Sequence, residues 1–489
     1  MNDSGHKNWL GERAYETVTR NGFEPDFSAA VAAQLKEIVA RRDPEPAPNI
    51  TDLRDTLWSS IDNKTSKDLD QIEWAEQLEN GDIRLLVGIA DVAAFVEKDT
   101  PIDRHAKQNT VTVYTETRIF PMLPEELSTD ITSLVEGEDR LAVVADMIVK
   151  ENGDVPDTKF FRALVRNHAK LDYESVGEWL EGRGQIPQKI ADTVGLEAQI
   201  RLQNAAAVRL GEYRARKGAL DFESIESSAV VEDGEVREIR AVEPNAARKL
   251  IENFMIATNV EMAEFLEREN VASLRRVVEA PERWDGIVRI AAEYGEQLPS
   301  EPDLPAFSAF LARRKQADPE RFPDLSLSLI KLIGAGRCVV QRPGEDAGGH
   351  FGLAVNDYAH STAPNRRFTD IVVQRIVKAV IAGEQQPYTP EELDDIAEQA
   401  NLQAKAARKV ERRMRKIVAA AVLQHHIGQE YDAIVTGDTK AGIFARILRP
   451  PVDGMVVRGQ KRLDVGDKVR VKLLSANPQN GFIDFAVER

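Results

Sequence analysis

Three aspartates, Asp62, Asp68 and Asp70, crowd into the stretch Ser60-Ile61-Asp62-Asn63-Lys64-Thr65-Ser66-Lys67-Asp68-Leu69-Asp70 among small polar side chains. Two carboxylates about 4 Å apart repel by roughly 4 kcal/mol at an effective dielectric near 20, so a folded cluster needs a proton or a cation. Oxygen-only ligands select Mg²⁺, with Mn²⁺ as the other ion they suit. Magnesium held by a few carboxylates and waters commonly shares its shell with substrate phosphates, which points to phosphoryl chemistry. The competing reading is a solvated acidic turn. Spacing alone favours that turn, because Asp-x-Asp arises by chance in a chain with 81 acidic residues.

A second candidate is Arg366. Ser361-Thr362-Ala363-Pro364 reads as a helix N-terminus, with a capping hydroxyl and an early proline, ahead of the apolar stripe Phe368, Ile371, Val372, Ile376, Ala379 and Val380. Arg366 and Arg367 then sit where the helix dipole is already positive. That placement costs stability unless an anion is present, so a phosphate site is the natural explanation. For Arg367, an ion pair with Asp370 is the alternative.

The surrounding motifs raise the odds for chemistry. After SIDNKTSKDLD (60–70) come VGIADVAAFV (87–96), VYTETRIFPMLPEELS (113–128) and SLVEGEDRLAVV (133–144). KLDYESVGEWL (170–180), LIENFMIATN (250–259), SLRRVVEAP (273–281), HFGLAV (350–355) and YAHSTAPNRRFTDIVVQR (358–375) follow in order. This series resembles the catalytic domain of the ribonuclease II and ribonuclease R exoribonucleases, and the likeness covers roughly residues 51 to 489.

The resemblance implies a Mg²⁺-dependent hydrolytic 3'-to-5' exoribonuclease that degrades single-stranded RNA to nucleoside 5'-monophosphates by a two-metal mechanism. Asp62, Asp68 and Asp70 match acidic residues that hold the metals in the family, Asp70 being the indispensable one. Relatives carry a fourth Asp where this chain has Gln71. An amide oxygen still coordinates but brings no charge, which leaves three readings: weaker metal binding, help from Asp91 or substrate phosphate, or a catalytically silent RNA-binding protein. Arg366 matches an arginine at the scissile phosphate, a role suited to a bidentate guanidinium. Tyr114 matches an aromatic that stacks on the 3'-terminal nucleotide. Tyr173 and Glu252 match residues that sense ribose, whose 2'-hydroxyl separates RNA from DNA. Glu252 shares a helix face with Arg248 and Asn259, so a surface ion pair is its alternative.

Other elements must position these groups. The first fifty residues suggest two short helices, with Phe27, Val31, Leu35, Ile38 and Val39 at helical spacing, Gly22 as a C-cap, and Pro44-Glu45-Pro46-Ala47-Pro48 as a linker. They have no room for the cold-shock barrels that usually precede this catalytic domain, so the helical pair is either a small helix-turn-helix or packing. Residues 51–427 lack βαβ alternation. Leu141–Val149 and Lys159–Val165 flank an Asn152-Gly153-Asp154 turn, a hairpin, and long amphipathic helices span Asn245–Asn270 and Pro390–Gln424. The fold class is therefore α+β, an antiparallel sheet with helices gathered on one side, and the resemblance implies that they surround an RNA channel. Residues 428–489 carry five strand candidates, 431–436, 442–448, 454–457, 468–474 and 482–487, which suit an OB-fold barrel. Gly442-Ile443-Phe444-Ala445-Arg446 and Val465-Gly466-Asp467-Lys468-Val469 resemble the barrel of ribosomal protein S-one, which makes Phe444 an RNA contact.

Composition sets the remaining bounds. A net charge of −17 argues against a protein that coats DNA non-specifically. The local run Arg408, Lys409, Arg412, Arg413, Arg415 and Lys416 is either an exposed helix face or a phosphate-steering stripe. One cysteine, Cys338, excludes an intramolecular disulfide, and no apolar run is long enough for a bilayer. His350 and His425-His426 lack zinc spacing, and there is no Walker loop, dinucleotide fingerprint or nucleophile elbow. The expectation is a cytoplasmic monomer that needs single-stranded RNA, no membrane and no obligate protein partner.

Overall fold

The computed structural model describes residues 9–41, 49–223, 226–232, 235–242, 244–319, 321–439, 442–461, 463 and 467–488. The expected linker at 44–48 lies outside them, as do Val465 and Gly466. Helices α1 (Trp9–Arg20) and α2 (Ala29–Val39) open the chain. Strands β1 (Thr51–Asp62), β2 (Gln71–Gln77) and β3 (Ile83–Ala90) follow, then α3 (Pro101–Asn109) and the short pair β4 (Val113–Tyr114) and β5 (Ile119–Phe120). Strands β6 (Asp139–Val149) and β7 (Thr158–Asp172) form the expected hairpin.

Strands β1, β2, β3, β6 and β7 do not make an open sheet with one helical side; they close into a barrel, and the closing pair β1–β7 is parallel. Two register shifts in β1, between Leu53 and Ser59, supply the local bending that closure needs. β3 is buried along nearly its whole length, which explains why Ile83–Ala90 reads as a continuous apolar run rather than an alternation.

Helices cover this barrel. They are α4 (Tyr173–Leu180), α5 (Gln188–Asp192), α6 (Leu196–Arg216) and, after the hairpin β8 (Glu226–Glu232) and β9 (Glu235–Val242), α7 (Ala246–Arg268). Next come β10 (Ser273–Val277), α8 (Trp284–Glu293), α9 (Leu304–Ala317), α10 (Phe322–Ile333), β11 (Arg337–Gln341), α11 (Phe368–Ala382) and α12 (Pro390–Leu423). α8, α9 and α10 share a satellite core of Trp284, Ile287, Phe307, Phe310, Phe322 and Leu329. Among the described residues no helix is long and apolar enough to cross a membrane.

α12 ties the parts together. Its Val410, Met414 and Ile417 pack with Leu10, Ala14 and Val18 of α1 and with Val113 and Phe120, while Ala419, Ala420 and Leu423 join the core of the second barrel. α2 packs on α3. Both N-terminal helices thus pack on the body of the protein. The five expected C-terminal strands are β12 (Glu430–Thr439), β13 (Gly442–Ile447), β14 (Val452–Arg458), β15 (Lys468–Asn477) and β16 (Phe482–Glu488), closed in the order β12-β13-β14-β16-β15. Gly454 is required there: a Cβ at this position would run into the ring of fully buried Phe485 and the carbonyl of Ile483. Gly454→Ala is expected to cost about 1–3 kcal/mol in the stability of this barrel, read by denaturant unfolding.

Candidate active site

The parallel closure brings the C-terminal ends of β1 and β7 to one rim, with Asp62 opposite Asp172 in register. The β1–β2 connection lies at the same rim and is pinned from below. Ser133 Oγ donates to the Lys67 carbonyl (2.6 Å) and accepts from the Leu69 N–H (2.8 Å), and the Leu134 N–H donates to the Leu69 carbonyl (3.0 Å). The Ala90 N–H donates to the carbonyl of Asp70 (2.9 Å). The motifs at 60–70, 87–96 and 133–144 are therefore one construction: two of them hold the acidic connection of the first in shape.

Asp70 is 2% exposed. Its Oδ1 accepts from the Asn365 N–H (3.0 Å), and its Oδ2 lies 3.3 Å from Arg366 Nε. Burial pushes its carboxyl up from 3.8 to about 7, against the opposing pull of Arg366. Asp68 Oδ2 accepts from the Tyr114 hydroxyl (2.9 Å). Burial and the Asp68 charge raise the Tyr114 hydroxyl above its usual range, so it stays a donor. Burial alone would lower the Arg366 pKa, but Asp70, Tyr114, Asp68 and Asp62 outweigh it and raise it. The Arg366 side chain is nevertheless 50% exposed, so it faces the acids with one edge and solvent with the other.

Backbone pairing sets this approach. The Thr112 N–H donates to the Arg366 carbonyl (3.0 Å) and the Phe368 N–H to the Thr110 carbonyl (2.8 Å), which lays the strand leading to Tyr114 alongside 366–368. The helix expected from Ser361 begins instead at Phe368, with Arg367 in the N-cap position. The reason is that Ser361 is buried and turned away: its N–H and hydroxyl both donate to Asn259 Oδ1 of α7 (2.8 Å each). Arg366 thus occupies the turn before α11. Arg367 pairs with Asp370 (2.6 Å).

The remaining candidates scatter by degrees. Tyr173 is the first residue of α4, beside the rim; burial and then the Asp62 charge raise its hydroxyl pKa, and Arg248 of α7 lies 4.5 Å over its ring. Gln71 begins β2 and is buried at the same rim. Glu252, one turn beyond Arg248, sits 3.6 Å from Lys249 and lines a cleft of about 530 Å³ with Arg214, Asp221, Asn253 and His350. Asp91 is not available to the site: it is paired with Arg162 (3.2 Å) and Lys378 (2.7 Å). Phe444 is far along the chain in β13, with Lys416 of α12 5.7 Å over its ring, and Arg415 is 3.4 Å from Glu116. Asn365, Ser133 and Asn259 escaped sequence reasoning because single polar residues in loops and helices carry no periodic signal. Glu73, fully buried in β2, also escaped, although a carboxylate between Ile72 and Trp74 in a buried strand is itself a signal.

Among the described residues no group of three His, Cys, Asp or Glu side chains is placed to hold a metal ion as it stands. In kind, the oxygen donors near the rim, Asp62, Asp68, Asp70 and the Gln71 amide, are those a hard divalent cation takes. Both carboxylate oxygens of buried Glu73 lack any hydrogen-bond partner. In the metal-free protein, the unfolded chain releases the Asp70 proton near 3.8 and the folded chain near about 7. The stability associated with that proton is complete below the lower value and is lost as pH rises through the upper one. A thermal melt series from pH 4 to 8 is expected to show this fall, reduced in Asp70→Asn.

Residues 50–383 match the RNB domain family, and residues 429–488 match the RNase II-type exonuclease C-terminal S1 domain. The chain is 31% identical to ribonuclease R of Vibrio cholerae, over 94% of this chain and 59% of that protein, and 28% identical to ribonuclease R of Escherichia coli, over 93% and 59%. It therefore spans about six-tenths of the length of these relatives. Its fold is that of Mycoplasma genitalium RNase R solved with ribose-methylated single-stranded RNA (TM-score 0.86, 21% identity, 98% of this chain and 78% of the other). Yeast Ssd1, a pseudonuclease, shares the fold at a TM-score of 0.70 with 16% identity, over 91% and 55%. With the family match covering the barrel, its helices and the acidic rim, the chain belongs to the RNB-domain family and ends in an S1 domain of the RNase II type.

Proposed function

We propose that the protein is a hydrolytic exoribonuclease that removes nucleotides from the 3' end of single-stranded RNA and releases nucleoside 5'-monophosphates with Mg²⁺ as cofactor. The observation that carries this reading is the Asp70–Arg366 contact: a half-exposed guanidinium at a buried carboxylate, on the rim that also carries Asp62 and Asp68. RNB-domain nucleases are divalent-metal-dependent as a class, and the relatives' names and a neighbour structure solved with single-stranded RNA support the same substrate.

Arg366 offers its outer N–H groups to the non-bridging oxygens of the scissile phosphate, where charge grows as water attacks phosphorus and the bond to the leaving 3'-oxygen breaks. A bound divalent cation supplies an activated water and neutralises phosphate charge. Asp62, Asp68, Asp70 and Gln71 would hold it. Tyr114, fixed through its hydroxyl on Asp68, presents a ring to the terminal base without regard to base identity, and Tyr173 presents a hydroxyl at the rim for the sugar. Arg367, Glu252 and Phe444 belong to the outer RNA path, with α12 and the S1 barrel gripping the backbone. The same reading includes a cytoplasmic monomer.

The competing reading is a silent RNA-binding protein, which Gln71 favours and which a pseudonuclease of the same fold makes concrete. Retention of three aspartates together with the Arg366 contact favours catalysis. The discriminating experiment incubates 5'-labelled single-stranded RNA with the protein and Mg²⁺. Metal-dependent shortening from the 3' end is expected, abolished by EDTA and reduced at least about 100-fold in Asp70→Asn and Arg366→Ala. RNA that stays intact while shifting on a native gel would establish the silent reading.

A further inference from the structure

The motif SLRRVVEAP (273–281) puts two arginines side by side in β10, where successive side chains point to opposite faces. Arg275 spends its fork on Ser273 Oγ (2.8 Å), the Ala263 carbonyl (2.6 Å) and Glu267 (3.4 Å). Arg276 has no such partners: among the described residues its guanidinium forms no ion pair and no hydrogen bond. Its side chain lies beside Gly336, where a Cβ would come within 2.9 Å of Nε. It lines a cavity of about 110 Å³, whose walls include Thr110, Cys338, His360, Arg367 and Ala404.

Cations prevail around this cavity. Arg367 reaches it from the turn before α11, and the fully buried Asp370 offsets that one charge. Burial lowers the pKa of Arg276, and Arg408 and Arg367 lower it further. Burial, Arg367 and Arg276 likewise keep the His360 imidazole neutral. Arg408 is exposed on α12, one helical turn beyond Ala404, and among the described residues it too has no ion pair. It begins the stripe that runs through Arg412, Arg415 and Lys416 to Phe444 of the S1 barrel. A half-buried guanidinium among cations costs stability unless an anion meets it, and groups kept at such a cost are commonly those that function needs. The competing reading is an arginine that only packs.

We propose that Arg276 and Arg367 hold, in this cavity, an RNA backbone phosphate on the 5' side of the scissile one, between the α12 stripe and Arg366. The inference rests on the RNA-degrading reading of the site. With the phosphate that joins the last two nucleotides at Arg366, only linkages on its 5' side remain to be held. Arg366 and Arg367 are consecutive, so one turn meets two phosphates of a single strand, the second with the help of Arg276. A fork whose donors are all free matches the two unesterified oxygens of a phosphodiester. No base is touched, so the site accepts any sequence.

The test measures binding of a short single-stranded RNA in EDTA across a range of salt. Arg276→Gln is expected to weaken binding about tenfold or more and to lower the slope of log affinity against log salt by about 0.7, the share of one phosphate contact. Replacing the RNA linkages one at a time by neutral methylphosphonates should reveal one, 5' of the last, whose neutralisation weakens wild-type binding and has no further effect in Arg276→Gln. A variant that fails to fold, or that folds and keeps the wild-type slope and linkage profile, would overturn the proposal and leave Arg276 a packing residue. Ala404→Glu gives an independent arm. An acid in the cavity wall competes with phosphate, so RNA affinity should fall about tenfold with no loss of melting temperature, and unchanged affinity would overturn the proposal. Inorganic phosphate that raises the melting temperature of the wild type but not of Arg276→Gln, while both bind RNA equally, would make the cavity a site for the free anion and overturn it too. Wild-type protein that binds no RNA sinks the RNA reading itself, whereas RNA bound and shortened alike by wild type and Arg276→Gln sinks this inference alone.

Discussion

The burial of Asp70 is the constraint on which the rest of the site depends. A carboxylate that is 2% exposed must be met by donors, and here one is the Asn365 N–H and the other is the Arg366 guanidinium. Those partners come from the turn before α11, almost three hundred residues further along the chain. One ion pair therefore joins the acidic motif at 60–70 to the arginine motif at 358–375. It leaves the Arg366 side chain half exposed beside the acids.

Everything else at the rim maintains that junction. The parallel pairing of β1 with β7 puts Asp62, Asp172 and Tyr173 at one end of the barrel, and Ser133 and Ala90 fix the backbone of the acidic connection. Asn259 of α7 holds Ser361 and Thr362, which fixes the turn that delivers Arg366. α12 then carries the same order outward, packing on the N-terminal helix with one part of its length and on the S1 barrel with the other. The acidic rim and the S1 barrel are thus joined through α12.

Local signals were legible wherever a residue's neighbours in sequence are also its neighbours in space. The Asn152-Gly153-Asp154 turn, with Gly153 at φ +82°, announced its hairpin, and the helices at 246–268 and 390–423 followed their apolar period. The five strands of the last barrel were equally plain. Long-range geometry was not. Barrel closure depends on register between β1 and β7, which no local pattern encodes. Ser361 looked like a helix cap because only Asn259, distant in sequence, reveals where its hydroxyl goes. Asp91 looked available until Arg162 and Lys378 claimed it. The aspartates, Tyr114 and Arg366 were readable through ordered motifs, whereas the burial of Glu73 required knowing that both faces of β2 are covered.

If Arg366 and the acidic rim act together on RNA, a phosphate must occupy the space between them. The decisive measurement is a crystal structure of the Asp70→Asn protein with a short oligoribonucleotide bearing a 3'-hydroxyl. The phosphate joining the last two nucleotides should lie within hydrogen-bonding distance of the Arg366 guanidinium and beside Asp62 and Asp68, with the terminal base against the Tyr114 ring. RNA bound only along α12 and the S1 barrel, or with its 3' end remote from Arg366, would contradict the account.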